Sequence, residues 1–192
     1  MIPFTFDQLR RVIDARRGTT KQDTLARLGE ALLFVQSVEA SFRFVMTFVI
    51  QKGQEGLDLE KWEAQSKAER EKTIGYFLNQ LRFRVDVEPQ IDSRLSTFLN
   101  IRNQMVHRLE EVPGWGLEDE ASLRISNDFL TEVFANCFFV YFWLSGVTKS
   151  WATQAGFTTQ YDDHEVMKII DEHFVPLAEW SLAAKETVPR SD

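Results

Sequence analysis

Apolar positions recur along this chain at intervals of three and four residues, a spacing that predicts helices almost throughout. Phe6, Leu9, Val12 and Ile13 share one face of a short first helix over residues 6–17, ended by two arginines and Gly18. An N-cap at Asp23 or Thr24 opens a long helix to about residue 51, stopped at Gly53. Its interior, residues 32–50, is apolar almost all the way round, as in the central helix of a bundle, and Glu39 and Arg43 are its only charges. A charged section follows, with a short helix over about residues 60–70. Ile74, Phe77, Leu78 and Leu81 then mark a further helix, and residues 85–89 make a connection ending at Pro89. Asp92 is the expected N-cap of a helix over residues 93–111, with Pro113 and Gly114 as its stop. Residues 118–150 form another long helix, and residues 162–184 a last one with Pro176 as its kink. The expected fold is all-α: an antiparallel bundle of four to five core helices with extra N- and C-terminal helices. It makes one domain over residues 1–192, with its core at about 24–150.

Composition supports this outline. A length of 192 residues suits one well-buried core, and 16 Phe and five Trp against nine Gly and five Pro favour long, thickly packed helices over many turns. The apolar run 133–147 falls short of the roughly 20 residues a membrane span needs, so no membrane partner is expected. A single cysteine, Cys137, excludes an internal disulfide and suits a reducing compartment. Met1-Ile2-Pro3-Phe4 does not open a signal peptide, and a cytoplasmic location is expected. The net charge of −7 argues against a protein that coats DNA or RNA by bulk attraction, while leaving room for a small RNA site. Arg82, Arg84 and Arg94 read as a solvated helix face. His164 and His173 lack a matched third ligand, and no Gly-rich phosphate loop occurs, so neither a metal nor a cofactor is expected.

Residues 100–109 are the stretch where chemistry interrupts the helical pattern. On a wheel of about 100° per residue, Leu95, Leu99, Val106 and Leu109 lie within about 40° of one another's centre, and Arg102 falls about 20° from Leu95. A guanidinium keeps its charge, so on an apolar stripe it needs a carboxylate, a polar pocket or a bound anion. Asn103 and His107 share a flank about 80° and 120° away, where side chains reach a cleft. A histidine in a late helical turn is favoured as a cation by the helix dipole, which suits an acid role. Glu39 has two candidate partners: Arg43, one turn further along its own helix, or Arg102.

The Arg102-Asn103-x-x-x-His107 pattern, near a helix end and followed by a turn, resembles the signature of the HEPN domain superfamily. The likeness extends over about residues 24–150, and the Thr-Ile-Gly-x-x-Leu run at 73–78 loosely resembles a second helix of several members. Many members are metal-independent RNases of toxin–antitoxin, phage-defence and RNA-processing systems. The resemblance implies that Arg102 and His107 are catalytic and Asn103 supporting, and that Glu39 is the acidic residue facing the motif arginine. It also implies an RNA substrate, a cognate antitoxin or defence partner, and a homodimer that supplies a second histidine across a shared cleft. Leu109 stands where toxins controlled by adenylylation usually carry tyrosine, so that mode of control is not implied. Trp115, after the motif, either stacks a base or caps the bundle. The alternative is a non-catalytic helical interaction or nucleotide-binding module, the partner or sensor subunit of a defence system. In it Arg102 and Glu39 form a structural bridge, and Asn103 and His107 cap a helix end.

Overall fold

The computed structural model describes residues 6–15, 18, 20–50, 73–157 and 165–184. The expected helix at 60–70, the stop at Gly53, His164 and the tail after Lys185 lie outside them. The chain divides into two compact units, one of residues 1–41 and 93–143, the other of residues 42–92 and 144–192. Among the described residues nearly every element is helical, so the all-α expectation holds.

In the first unit, α1 (Phe6–Asp14) and α2 (Lys21–Phe44) are separated by a short turn. Thr20, rather than Asp23 or Thr24, caps α2. The Asp23 amide donates to Thr20 Oγ1 at 3.1 Å and the Thr20 amide to Asp23 Oδ2 at 3.2 Å, a reciprocal box that starts the helix a turn early. Ala31, Val35 and Val38 are buried, but Leu33 is 67% exposed, so α2 keeps an outer face that its composition concealed. Phe34 meets Phe138 edge-on at 4.5 Å. A buried Arg27 donates to Asn127 Oδ1 and Thr131 Oγ1, and Asn127 donates to Thr24 Oγ1, a polar network among buried residues.

The motif helix, which we number α4, runs Pro89–His107, four residues earlier at each end than expected. Proline needs no N–H partner at a helix start, so Pro89 opens the helix and Asp92 falls in its first turn. Arg108 leaves helical geometry at φ −145°, a 3-10 turn follows at Leu109–Glu111, and Gly114 takes φ +75° to reverse the chain. Trp115 packs edge-on against Phe129 at 5.9 Å. Asp119 caps α5 (Glu120–Gln154), accepting the Ser122 amide at 2.8 Å. That backbone bond, with the Ser122 hydroxyl, holds the Asp119 carboxyl below the ordinary carboxylate range. α5 is longer than its apolar run suggested, and by length and composition alone it could cross a membrane. Yet 67% of its most apolar window is buried within the protein. Cys137 on α5 is buried, and desolvation, then the nearby Glu39 carboxylate, pushes its thiol up.

In the second unit, α2 ends in a π-helical turn, Val45–Val49. The carbonyls of Met46 and Ile50 accept Arg84 Nη1 at 3.2 and 3.1 Å. α3 (Ile74–Arg84) is capped by Thr73 and buries Ile74, Phe77, Leu78 and Leu81. The expected connection after it is a strand, β1 (Val85–Val87), paired antiparallel with β2 (Leu182–Ala184). Arg82 binds the Asp92 carboxylate through Nε and Nη2, at 2.6 and 3.1 Å. The last expected helix is broken into α6 (Glu165–Ile169), a π turn (Ile170–Phe174) and α7 (Val175–Ser181). Pro176 begins α7, where its missing N–H breaks the ladder. At Gly146 a side chain would run into the carbonyl of Phe174, so glycine permits the close approach of α5 and the π turn.

Candidate active site

The buried residues of α4 within the first unit are Leu95, Phe98 and Met105. Their face lies roughly 45° round from the expected stripe, so Val106 is 38% exposed and Leu109 falls outside the helix altogether. Arg102 stays on the buried face, between Phe98 and Met105. Its charge is met by Glu39 of α2: Nε donates to Glu39 Oε1 at 2.6 Å, with side chains 19% and 13% exposed. Of the two partners open to Glu39 in the sequence, Arg102 is therefore one it engages, 63 residues away along the chain.

The rest of the guanidinium organises the flank. Arg102 Nη1 donates to Asn103 Oδ1 at 3.1 Å and lies 3.1 Å from His107 Nε2. Helical side chains lean toward the N-terminus, and His107 is the last residue of α4, so its ring turns back over the preceding turn onto Arg102. Because arginine only donates, Nε2 is the acceptor and the ring proton sits on Nδ1. The Nε2 lone pair that meets the arginine is the one a general base uses. The same logic orients the Asn103 amide: its oxygen faces Arg102, leaving Nδ2 outward.

Within this cluster Arg102 Nη2, Asn103 Nδ2 and His107 Nδ1 have no hydrogen-bond partner among the described residues. None of the three is a buried orphan, and His107 is exposed. All three are N–H donors, so the cluster presents a donor-only surface with one fixed positive charge, partly balanced by Glu39. Such a surface fits an oxygen-rich anion.

The other arginines near the motif do not add to it. Arg94 lies over the Phe6 ring at 3.8 Å and Arg108 sits 3.7 Å from Glu111; Arg82 and Arg84 are engaged as described above. The expectation of a solvated face for Arg82, Arg84 and Arg94 is corrected: each meets a carboxylate, a pair of carbonyls or a ring. The Arg27–Asn127–Thr131 network was missed in the sequence, although Asn127 and Thr131, four apart on an apolar helix, were its signal. Among the described residues no cluster of His, Cys, Asp and Glu could hold a metal ion.

Compared with protein-family models, with curated proteins and with solved structures, the chain matches none.

Proposed function

We propose that this chain is a metal-independent endoribonuclease of the HEPN type, cleaving RNA by attack of the 2′-hydroxyl on the adjacent phosphorus. The observation that carries the reading is the cluster in which Arg102 Nη1 contacts both Asn103 Oδ1 and His107 Nε2, each at 3.1 Å, setting a fixed cation, an amide and an imidazole side by side. The likeness of the Arg102-Asn103-x-x-x-His107 pattern to the superfamily signature supports it.

In this mechanism a phosphodiester oxygen takes the Nη1 and Nη2 hydrogens of Arg102, which frees His107 Nε2. The imidazole then accepts the 2′-hydroxyl proton, the 2′-oxygen bonds to phosphorus, and the bond to the 5′-oxygen breaks. Arg102 and Asn103 bear the charge that builds on the phosphorane oxygens. The departing 5′-oxygen needs a proton, which the imidazolium of a second copy supplies in a homodimer. The products are a 2′,3′-cyclic phosphate and a 5′-hydroxyl. A cytoplasmic toxin or phage-defence role, with an antitoxin or other partner protein, fits that activity.

The short Arg102–Glu39 bond favours a second reading, in which the bridge is structural and the module binds a partner without chemistry. One experiment separates the two. The purified protein is given end-labelled single-stranded RNA with and without chelator, beside His107→Ala. Cyclic-phosphate ends that persist in chelator and vanish in His107→Ala, at unchanged Tm, support the RNase. Equal products from both proteins, or a 3′-hydroxyl end, refute it.

A further inference from the structure

The flank of α4 that carries His107 is unlike the rest of the chain. Within an arc from about 80° to about 200° round the helix from Leu95, the residues from position 93 onward are Ser93, Ser96, Thr97, Asn100, Asn103, Gln104 and His107. Every one is polar and none carries a fixed charge, in a chain of which 27% of residues are charged. Thr97 donates to the Ser93 carbonyl at 2.9 Å, so that hydroxyl is satisfied within the helix. Asn100 is exposed, and neither its side chain nor that of Gln104 makes a hydrogen bond among the described residues. Along the helix axis Asn100 lies about 4.5 Å from Asn103 and about 10.5 Å from His107, on the same side. A chain lying across Arg102 and His107 therefore has Asn100 within reach of the next residue on.

Charge does not guide a polyanion along this flank. Among the described residues around it, Arg94 is stacked on Phe6 and Arg108 is close to Glu111, while Arg102 keeps Nη2 without a partner. A carboxamide instead offers a donor and an acceptor side by side, the combination that matches the edge of a nucleobase rather than a phosphate. Base edges are available for this in single-stranded RNA, where unstacked bases present their Watson–Crick and Hoogsteen sides.

Resting on the ribonuclease reading above, we infer that the enzyme holds its RNA through the scissile phosphate and reads a neighbouring base with Asn100. Asn100 is thus a specificity-determining residue, and the substrate is single-stranded RNA chosen by sequence rather than by backbone charge. Two consequences follow. Cleavage sites share a base preference at a nucleotide adjacent to the cut. Binding depends weakly on salt, because single strands lose about 0.7 in log-log slope per phosphate contact.

The test uses the full-length wild type, Asn100→Ala and His107→Ala. A pool of single-stranded RNAs randomised around one position is cleaved and the cut ends are sequenced. In parallel, binding to RNAs carrying a 2′-deoxy residue at the cut, which cannot be cleaved, is followed by fluorescence anisotropy from low to high salt. The expected result is a base preference in the wild type that falls about tenfold in Asn100→Ala at unchanged Tm, with a salt slope near 1. A preference that survives Asn100→Ala, or a salt slope of about 3 or more, overturns the inference while His107→Ala still reports on the ribonuclease itself. If no protein cuts, the anisotropy still decides: a base preference in binding that Asn100→Ala removes sustains base reading without catalysis, and no RNA binding overturns both.

Discussion

Arg84 and Arg102 sit in different units, each guanidinium half-withdrawn from solvent, and they do opposite things with the same chemistry. Arg84 turns toward the carbonyls at the π-helical end of α2, donating to Met46 and Ile50, with Gln80 at 3.5 Å. It closes a helix terminus. Arg102 meets a carboxylate on one edge only, and its other edge faces a histidine, an amide and open solvent. The difference lies in what remains unused after the fold is satisfied. A cation directed at backbone carbonyls is structural, whereas one held by a carboxylate, with an amide and a histidine beside it, is positioned to receive a ligand.

The largest expected effect tests the open edge directly. His107→Ala lowers the rate of RNA cleavage by about 10²- to 10⁴-fold, since the ring transfers the proton, and leaves Tm unchanged because it is exposed. Single-turnover kinetics with thermal melts of both proteins check this, and a large fall in Tm would move His107 to the structural side of the comparison. Next comes the anchored edge. Arg102→Ala costs about 2–3 kcal/mol because it takes the guanidinium away from a carboxylate only 13% exposed, and it also abolishes cleavage. Adding Glu39→Ala recovers much of the stability but none of the activity. Denaturant midpoints for the two singles and the double mutant measure the coupling, and activity regained with stability would show the bridge to be the whole role.

Arg84→Ala gives a smaller effect of the other kind, about 1–2 kcal/mol from the lost donor to the carbonyls at the end of α2, with cleavage unaltered at temperatures where the protein stays folded. Urea unfolding beside an activity assay sharpens the contrast with Arg102. The smallest effect concerns Asp119, whose folded carboxyl is held below its ordinary 3.8 by the Ser122 amide. A depressed carboxyl stabilises the fold above its unfolded value, and the contribution fades as pH falls through the lower folded one. The stability advantage of wild type over Asp119→Asn therefore shrinks below about pH 3.8, read from melts at stepped acid pH.

Much of this molecule was written in local pattern. Helical spacing determined the all-α character, because burying one face of a helix demands apolar residues three and four apart wherever the chain goes. The same spacing exposed Arg102, since a permanent cation on a buried face is costly wherever its partner lies. Local pattern was silent where the deciding partner is distant. It left Glu39 undecided between a near arginine and a far one, and it read Arg82, Arg84 and Arg94 as solvated. It also missed the three-residue strands β1 and β2, about a hundred residues apart and too short to show alternation. Capping erred by a turn at Thr20 and Pro89 for a gentler reason: several residues in each stretch have suitable chemistry, and packing selects among them. Sequence alone thus determined which residues had to be explained. Tertiary structure decided how, because hydrogen bonds between remote residues depend on positions in space that no local periodicity encodes.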